Sequence, residues 1–135
     1  QHIRVSTTCD SSVVFVADRV RLKRTVLNLV SNAMRYTTEG FIEIGAKVEP
    51  SGTLFISVAD SGPGIPRERL AHMFDPSVRI AELHQGVGIG MCLARQLARA
   101  MGGDIHFDPA YTSGVASGPG TKFTIRLPPS ARQFK

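Results

Sequence analysis

Four short segments carry the residue types and spacings that do chemistry: Asn28-Leu-Val-Ser-Asn32-Ala, Asp60-Ser-Gly-Pro-Gly64, Gly86-Val87-Gly88-Ile89-Gly90 and Gly118-Pro-Gly-Thr121. Asn28 and Asn32 stand four apart, so on a helix both amides leave one face, and Arg35 and Tyr36 extend that face by a turn. An amide oxygen is a hard donor of the kind Mg2+ prefers, and a guanidinium meets phosphate as a fork. Asp60 ends a strand-like run and enters a glycine turn, where the backbone can bend sharply and come close to a ligand. A carboxylate buried at such a turn needs a hydrogen-bond donor as partner. Gly86, Gly88 and Gly90 open a helical run; helix N-terminal amides favour anions, and missing side chains let phosphate approach. Alone, each segment has an ordinary reading: a solvated helix face, an Asp-Gly turn, a glycine loop. Together in one short chain they outline a pocket for a purine nucleotide, its phosphates and a divalent metal.

On these residues the chain resembles the catalytic and ATP-binding domain of a sensor histidine kinase, within the superfamily of gyrase, heat-shock chaperone and mismatch-repair ATPases. The four segments match its N box, G1 box, G2 box and final glycine-threonine box, Phe74-Asp-Pro76 resembles the F box, and the match runs from about Asp18 to Pro128. The resemblance implies that Asn32 is the Mg2+ ligand, with Asn28 in support, and that Arg35, where the family usually has Lys, meets a phosphate. It implies that Asp60 accepts from the adenine amine, that Tyr36 lies against the base, and that Gly62, Gly64, Ile65 and Phe74 belong to the pocket. Val87 and Ile89 join the three G2 glycines around the phosphates, with Thr121 from the last box. Read alone, Tyr36 is equally a core-edge residue and Thr121 a strand residue. Arg79 falls where lid arginines approach the terminal phosphate, and is equally a solvated loop arginine. The lid, Asp75 to Gln85, is short, and Ser77 replaces the family's second F-box phenylalanine.

Relatives that hydrolyse ATP place a glutamate base four residues before the magnesium asparagine; here that position is Asn28. An amide is no useful base near neutral pH. The substitution points to transfer onto a nucleophile supplied elsewhere, which in histidine kinases is an imidazole on a separate dimerising helical domain. None of His2, His72, His84 or His106 precedes an acidic residue and arginine in the acceptor pattern. The resemblance therefore implies a protein histidine kinase domain that uses ATP and Mg2+. Its partners are a histidine-bearing dimerisation domain of the same parent and, indirectly, a response regulator receiver domain. Two alternatives stay open: a degenerate nucleotide-binding or interaction module, and a protein serine kinase of the anti-sigma type.

The elements that must position these residues read as follows. Ile3 to Thr7 and Val13 to Val16 form β-rich runs about a polar turn, which predicts a hairpin. Asp18 precedes a helical stretch with an apolar stripe at Leu22, Val26, Leu29 and Ala33, ended by Gly40. Phe41 to Val48 and Thr53 to Ala59 read as strands, Pro66 to Met73 as a short helix, and Gly88 to Met101 as a second amphipathic helix stopped by Gly102-Gly103. Ile105 to Phe107 and Lys122 to Leu127 add strands, around a Gly-, Ser- and Pro-rich loop at 108–119 whose composition permits movement. The order predicts an α+β fold: a two-layer α/β sandwich, its mixed sheet covered on one face by about three helices, in one domain over residues 1–135.

At 135 residues, 42% hydrophobic and 20% charged, the composition is that of a globular chain with a single core. No apolar run reaches the ~20 residues of a membrane span, so the domain is expected to be cytoplasmic, with a parent free to be membrane-anchored. The net charge of +5 includes Arg19, Arg21, Lys23 and Arg24, but no interleaved aromatics accompany them, which argues against nucleic acid. Cys9 and Cys92 have no metal-ligand spacing and read as reduced thiols. No apolar helical seam of coiled-coil type is visible, and a monomer is expected.

Overall fold

The computed structural model describes residues 3–9, 15–70, 89–116 and 118–129. Asp18 starts the first long helix, α1 (Arg19–Tyr36), from an extended conformation, its Oδ1 accepting from the Arg21 N–H at 3.1 Å. That bond satisfies one of the orphan donors of the first turn. Leu29 and Ala33 are buried, with Leu22 and Val26 packed at the margin of the core. Thr25 shares this face, its hydroxyl satisfied by donating to the Arg21 carbonyl at 2.7 Å. The helix ends at Thr37, whose N–H donates to the Ala33 carbonyl, and not at Gly40. Gly40 instead opens the next strand at φ 113°, a conformation that side chains resist.

The strands are β1 (Ile3–Cys9), β2 (Gly40–Val48), β3 (Leu54–Asp60), β4 (Asp104–Phe107) and β5 (Thr121–Leu127), ordered β1-β2-β3-β5-β4 across one sheet. β1 runs parallel to β2, with Val5 opposite Ile42, while the other three pairs are antiparallel. β1 thus pairs in parallel with β2; of the run expected as its hairpin partner, Phe15 and Val16 lie in no strand, and Val13 and Val14 lie outside the described residues. A parallel pair needs a crossover, and α1 supplies it.

The sheet alternates as a half-buried sheet must. Leu54, Ile56 and Val58 of β3 and Phe123, Ile125 and Leu127 of β5 face the helices and are buried, as is Ile42 of β2. Met91, Ala94, Ala98 and Met101, from the second long helix α3 (Ile89–Ala100) and the turn after it, complete this core. Between the two long helices lies α2 (Arg67–Leu70), a single turn begun by Pro66, whose carbonyl accepts from the Leu70 N–H. The architecture is thus the expected mixed α+β sheet with helices, but only two of the described helices are long. The expected continuation of α2 to Met73 lies outside the described residues.

Gly102 (φ 84°) and Gly103 end α3, with the Gly103 N–H donating to the Ala98 carbonyl. A side chain at Gly103 would run into the Arg126 backbone, so close helix–strand contact requires glycine there. Arg95 and Arg99 of α3 both reach Asp104 of β4, at 3.0 and 3.3 Å.

Candidate nucleotide site

Asp60 is the last residue of β3, paired in register with Thr121, the first of β5. The strand turns away immediately beyond it, so the carboxyl sits at the end of the sheet and is only 7% exposed. Its Oδ1 accepts from the Gly62 N–H at 2.8 Å. Burial pushes its pKa up, while the backbone N–H groups of Gly62 and Thr121 and the Thr37 hydroxyl pull in the opposite sense. Thr37 Oγ1 is itself buried and, among the described residues, makes no hydrogen bond of standard geometry. Asp60 is thus a desolvated acceptor whose ionised form is favoured by few partners, and a donor from outside would complete it.

Ser61 locks this corner. Its Oγ accepts from the Phe41 N–H at 2.8 Å, and its own N–H donates to the Phe41 carbonyl, so the turn is tied to the start of β2. Gly62 is buried; a Cβ there would meet Thr37 Oγ1 at 3.0 Å and Asp60 Oδ1 at 3.1 Å. Gly64 takes φ +80° and lies against Pro119, and the Gly120 N–H donates to the Gly62 carbonyl at 2.9 Å. The second and fourth glycine segments, far apart in sequence, are therefore one structure.

The loop between β4 and β5 is cross-braced: the Ser113 N–H donates to the Pro119 carbonyl, and its hydroxyl donates to the Gly118 carbonyl. Tyr111 in this loop reaches the site, its ring beside Gly120. Its phenol pKa is pushed up by burial and by the charges of Glu43 and Asp60.

The helix side of the site is the C-terminal half of α1. Asn28, Asn32 and Tyr36 are half-buried along one face, while Arg35 is exposed. The Asn28 Nδ2 is buried and, among the described residues, has no hydrogen-bond partner. An orphaned buried donor is costly and suits a site that receives an acceptor from outside. Ile65 packs partly against the core beyond the glycine turn. Ile89 and Gly90 open α3, whereas Phe74, Arg79, Gly86, Val87 and Gly88 lie outside the described residues.

Residues 17–131 match the family model described as histidine kinase-, DNA gyrase B-, and HSP90-like ATPase. The chain belongs to this family. Within the ATPase family it is similar to the sensor protein TorS of Escherichia coli K12, 34% identical over 128 residues. It is also similar to the aerobic respiration control sensor ArcB of the same strain, 32% identical over 117 residues. Those matches cover 93% and 83% of this chain but only 13% and 14% of the relatives. Among solved structures, the nucleotide-free catalytic domain of the histidine kinase ThkA aligns with a TM-score of 0.76 at 28% identity, covering 96% of this chain and 82% of that one. Full-length ShkA in complex with AMPPNP aligns at 0.74 with 29% identity, over 93% of this chain and 25% of ShkA. These likenesses make the chain an ATPase-family domain of the sensor histidine kinase type.

The requirements of a nucleotide fit the residues present. Asp60 offers an acceptor, the missing side chain of Gly62 leaves room beside it, and Asn32 offers an oxygen. Among the described residues no three His, Cys, Asp or Glu side chains converge to hold a metal. An ion here would take its oxygens chiefly from phosphates and water, with few from the protein, as Mg2+ often does. Sequence reasoning missed Thr37, Ser61 and Tyr111. Ser61 was visible inside the Asp-Ser-Gly turn, but nothing in the sequence marks Thr37 or Tyr111, which arrive through the helix end and a loop.

Proposed function

We propose that this domain binds Mg-ATP and transfers its terminal phosphoryl group to a histidine on a separate dimerisation domain of the same parent. The observation that carries the reading is the desolvated carboxylate of Asp60 beside Gly62. Such a group is expensive unless it receives donors, and the adenine exocyclic amine is one. In this reading Tyr36, Gly62, Gly64 and Ile65 enclose the base, and Thr121 supports Asp60 from β5. Asn32 holds Mg2+, with Asn28 beside it, and Arg35 meets phosphate. Ile89 and Gly90 at the start of α3 meet the phosphates in this reading, and the resemblance assigns Phe74, Arg79 and Gly86 to Gly88, which lie outside the described residues, to the same nucleotide. The ion, when bound, neutralises charge building on the phosphates. Asn28 cannot remove a proton from water, which supports transfer over hydrolysis.

Calorimetry with ATP and Mg2+ tests binding, and mixing the domain with the parent's acceptor domain and labelled ATP tests transfer. Acid-labile label on the acceptor is expected. Binding without transfer would leave a nucleotide-binding module, and acid-stable phosphoserine on a partner would make the domain a serine kinase.

A further inference from the structure

The outer face of α1 carries a feature that nucleotide binding does not use. Val20, Leu27 and Met34 are 65%, 51% and 54% exposed. They stand seven residues apart, so on a helix they fall within about 40° of one another and make a single seam about 21 Å long. With one apolar residue per heptad it is no coiled-coil seam, and the packing of the helix leaves the three residues outside. The opposite face is the one buried against the sheet, through Leu29 and Ala33.

Charge decides what such a seam can receive. The helix contains five cations and no acidic residue. Lys23 and Arg24 are exposed on either side of the seam. Among the described residues neither forms an ion pair; Arg21, on another face, pairs with Asp18 at 3.7 Å. A second copy of the same helix would bring like charges together, which is unfavourable at an apolar seam. A helix with apolar residues at heptad spacing and Glu or Asp beside them would bury the three side chains and neutralise the cations at once.

We propose that α1 is a docking surface for an acidic amphipathic helix of a partner protein or domain. The proposal does not depend on nucleotide binding. The asparagines of the candidate site lie about a third of a turn further round the same helix, so an occupant of the seam would stand beside the pocket without entering it.

The test uses the 135-residue chain and a synthetic helical peptide of about 21 residues, long enough to follow the seam, with Leu along one face and Glu flanking it. A second peptide carries Lys in place of every Glu. Binding is followed by anisotropy at low and high salt, and the surface is mapped by amide chemical shifts. The acidic peptide is expected to bind, to shift Val20, Leu27 and Met34, and to weaken with salt, while the basic peptide does not bind. Leu27→Ser with Met34→Ser should weaken binding about tenfold or more, as loss of interface anchors does. Lys23→Glu with Arg24→Glu should reverse the preference between peptides. All four positions are exposed, so the variants should stay folded and keep the ATP affinity of the parent chain. Equal binding of both peptides, shifts mapping elsewhere, no binding at millimolar peptide, or self-association through the seam in sedimentation would each overturn the proposal.

Discussion

Replacing Asp60 by Asn separates what the carboxylate does for the fold from what it does for a ligand. The folded-state pKa is raised above 3.8, first by burial, so the folded chain holds this proton more tightly than the unfolded one. The group's favourable contribution is therefore complete only below the unfolded pKa. It is lost as pH rises through the folded value, so at neutral pH the ionised carboxylate burdens the empty domain. The amide of Asp60→Asn is neutral, has the same shape and keeps one acceptor for the Gly62 N–H, now at 2.8 Å. The empty Asp60→Asn protein should thus melt no lower than the parent chain, and its stability should change less between pH 4 and 7. With that acceptor occupied, the amide NH2 faces an adenine amine, donor against donor. A charge-assisted hydrogen bond contributes about 1.5–3 kcal/mol, and burial puts Asp60 towards the upper part. ATP affinity should fall roughly 10- to 150-fold, and adenosine affinity should fall with it. Calorimetry at neutral pH and thermal melts across pH measure the two effects. Unchanged ATP affinity in a folded variant would refute the assignment of Asp60 to the base, and a collapse of the empty fold would mean that the carboxylate is structural.

Four further outcomes follow from particular residues. Asn32→Ala should abolish the Mg2+ dependence of ATP affinity and leave adenosine binding unchanged; equal Mg2+ dependence in both proteins, read by calorimetry, would place the ion on another residue. Gly120→Ala should destabilise the domain by about 2 kcal/mol or more, because φ is +83° and a Cβ would press on the Asp60 carbonyl. Gly114→Ala, at φ +75° with open space around it, should cost only about 1 kcal/mol in the same denaturant titrations. Burial acts to raise the pKa of Asp104, but Arg95, the Ile105 N–H and Arg99 outweigh it and the pKa falls. Its contribution is therefore present above the unfolded pKa and is lost as pH drops through the folded value. Asp104→Asn should cost at most about 1 kcal/mol at neutral pH, as an accessible ion pair does, with the deficit vanishing in urea titrations carried down into acid.

Local elements, and the residue types that make up the candidate site, could be read directly along the chain. Asp18 capped a helix because a short acidic side chain can reach a free amide, and Pro66 and Gly102-Gly103 punctuated helices because their backbones permit little else. The spacing of Asn28 and Asn32 placed both on one helix face, and the Asp60 turn was visible in its glycines. Tertiary structure decided the rest. β1 pairs in parallel with β2 across the α1 crossover, and no local pattern encodes that partner. Asp60 became a desolvated acceptor only when Thr37, Ser61 and Gly120 closed round it from the end of α1, the turn itself and the last loop. Val20, Leu27 and Met34 became a surface because the helix has one core-facing side, already filled by Leu29 and Ala33. Propensity, capping and spacing act over a few residues and can be read along the chain. Burial and charge environment depend on contacts between distant segments, so they exist only once the sheet and helices have packed.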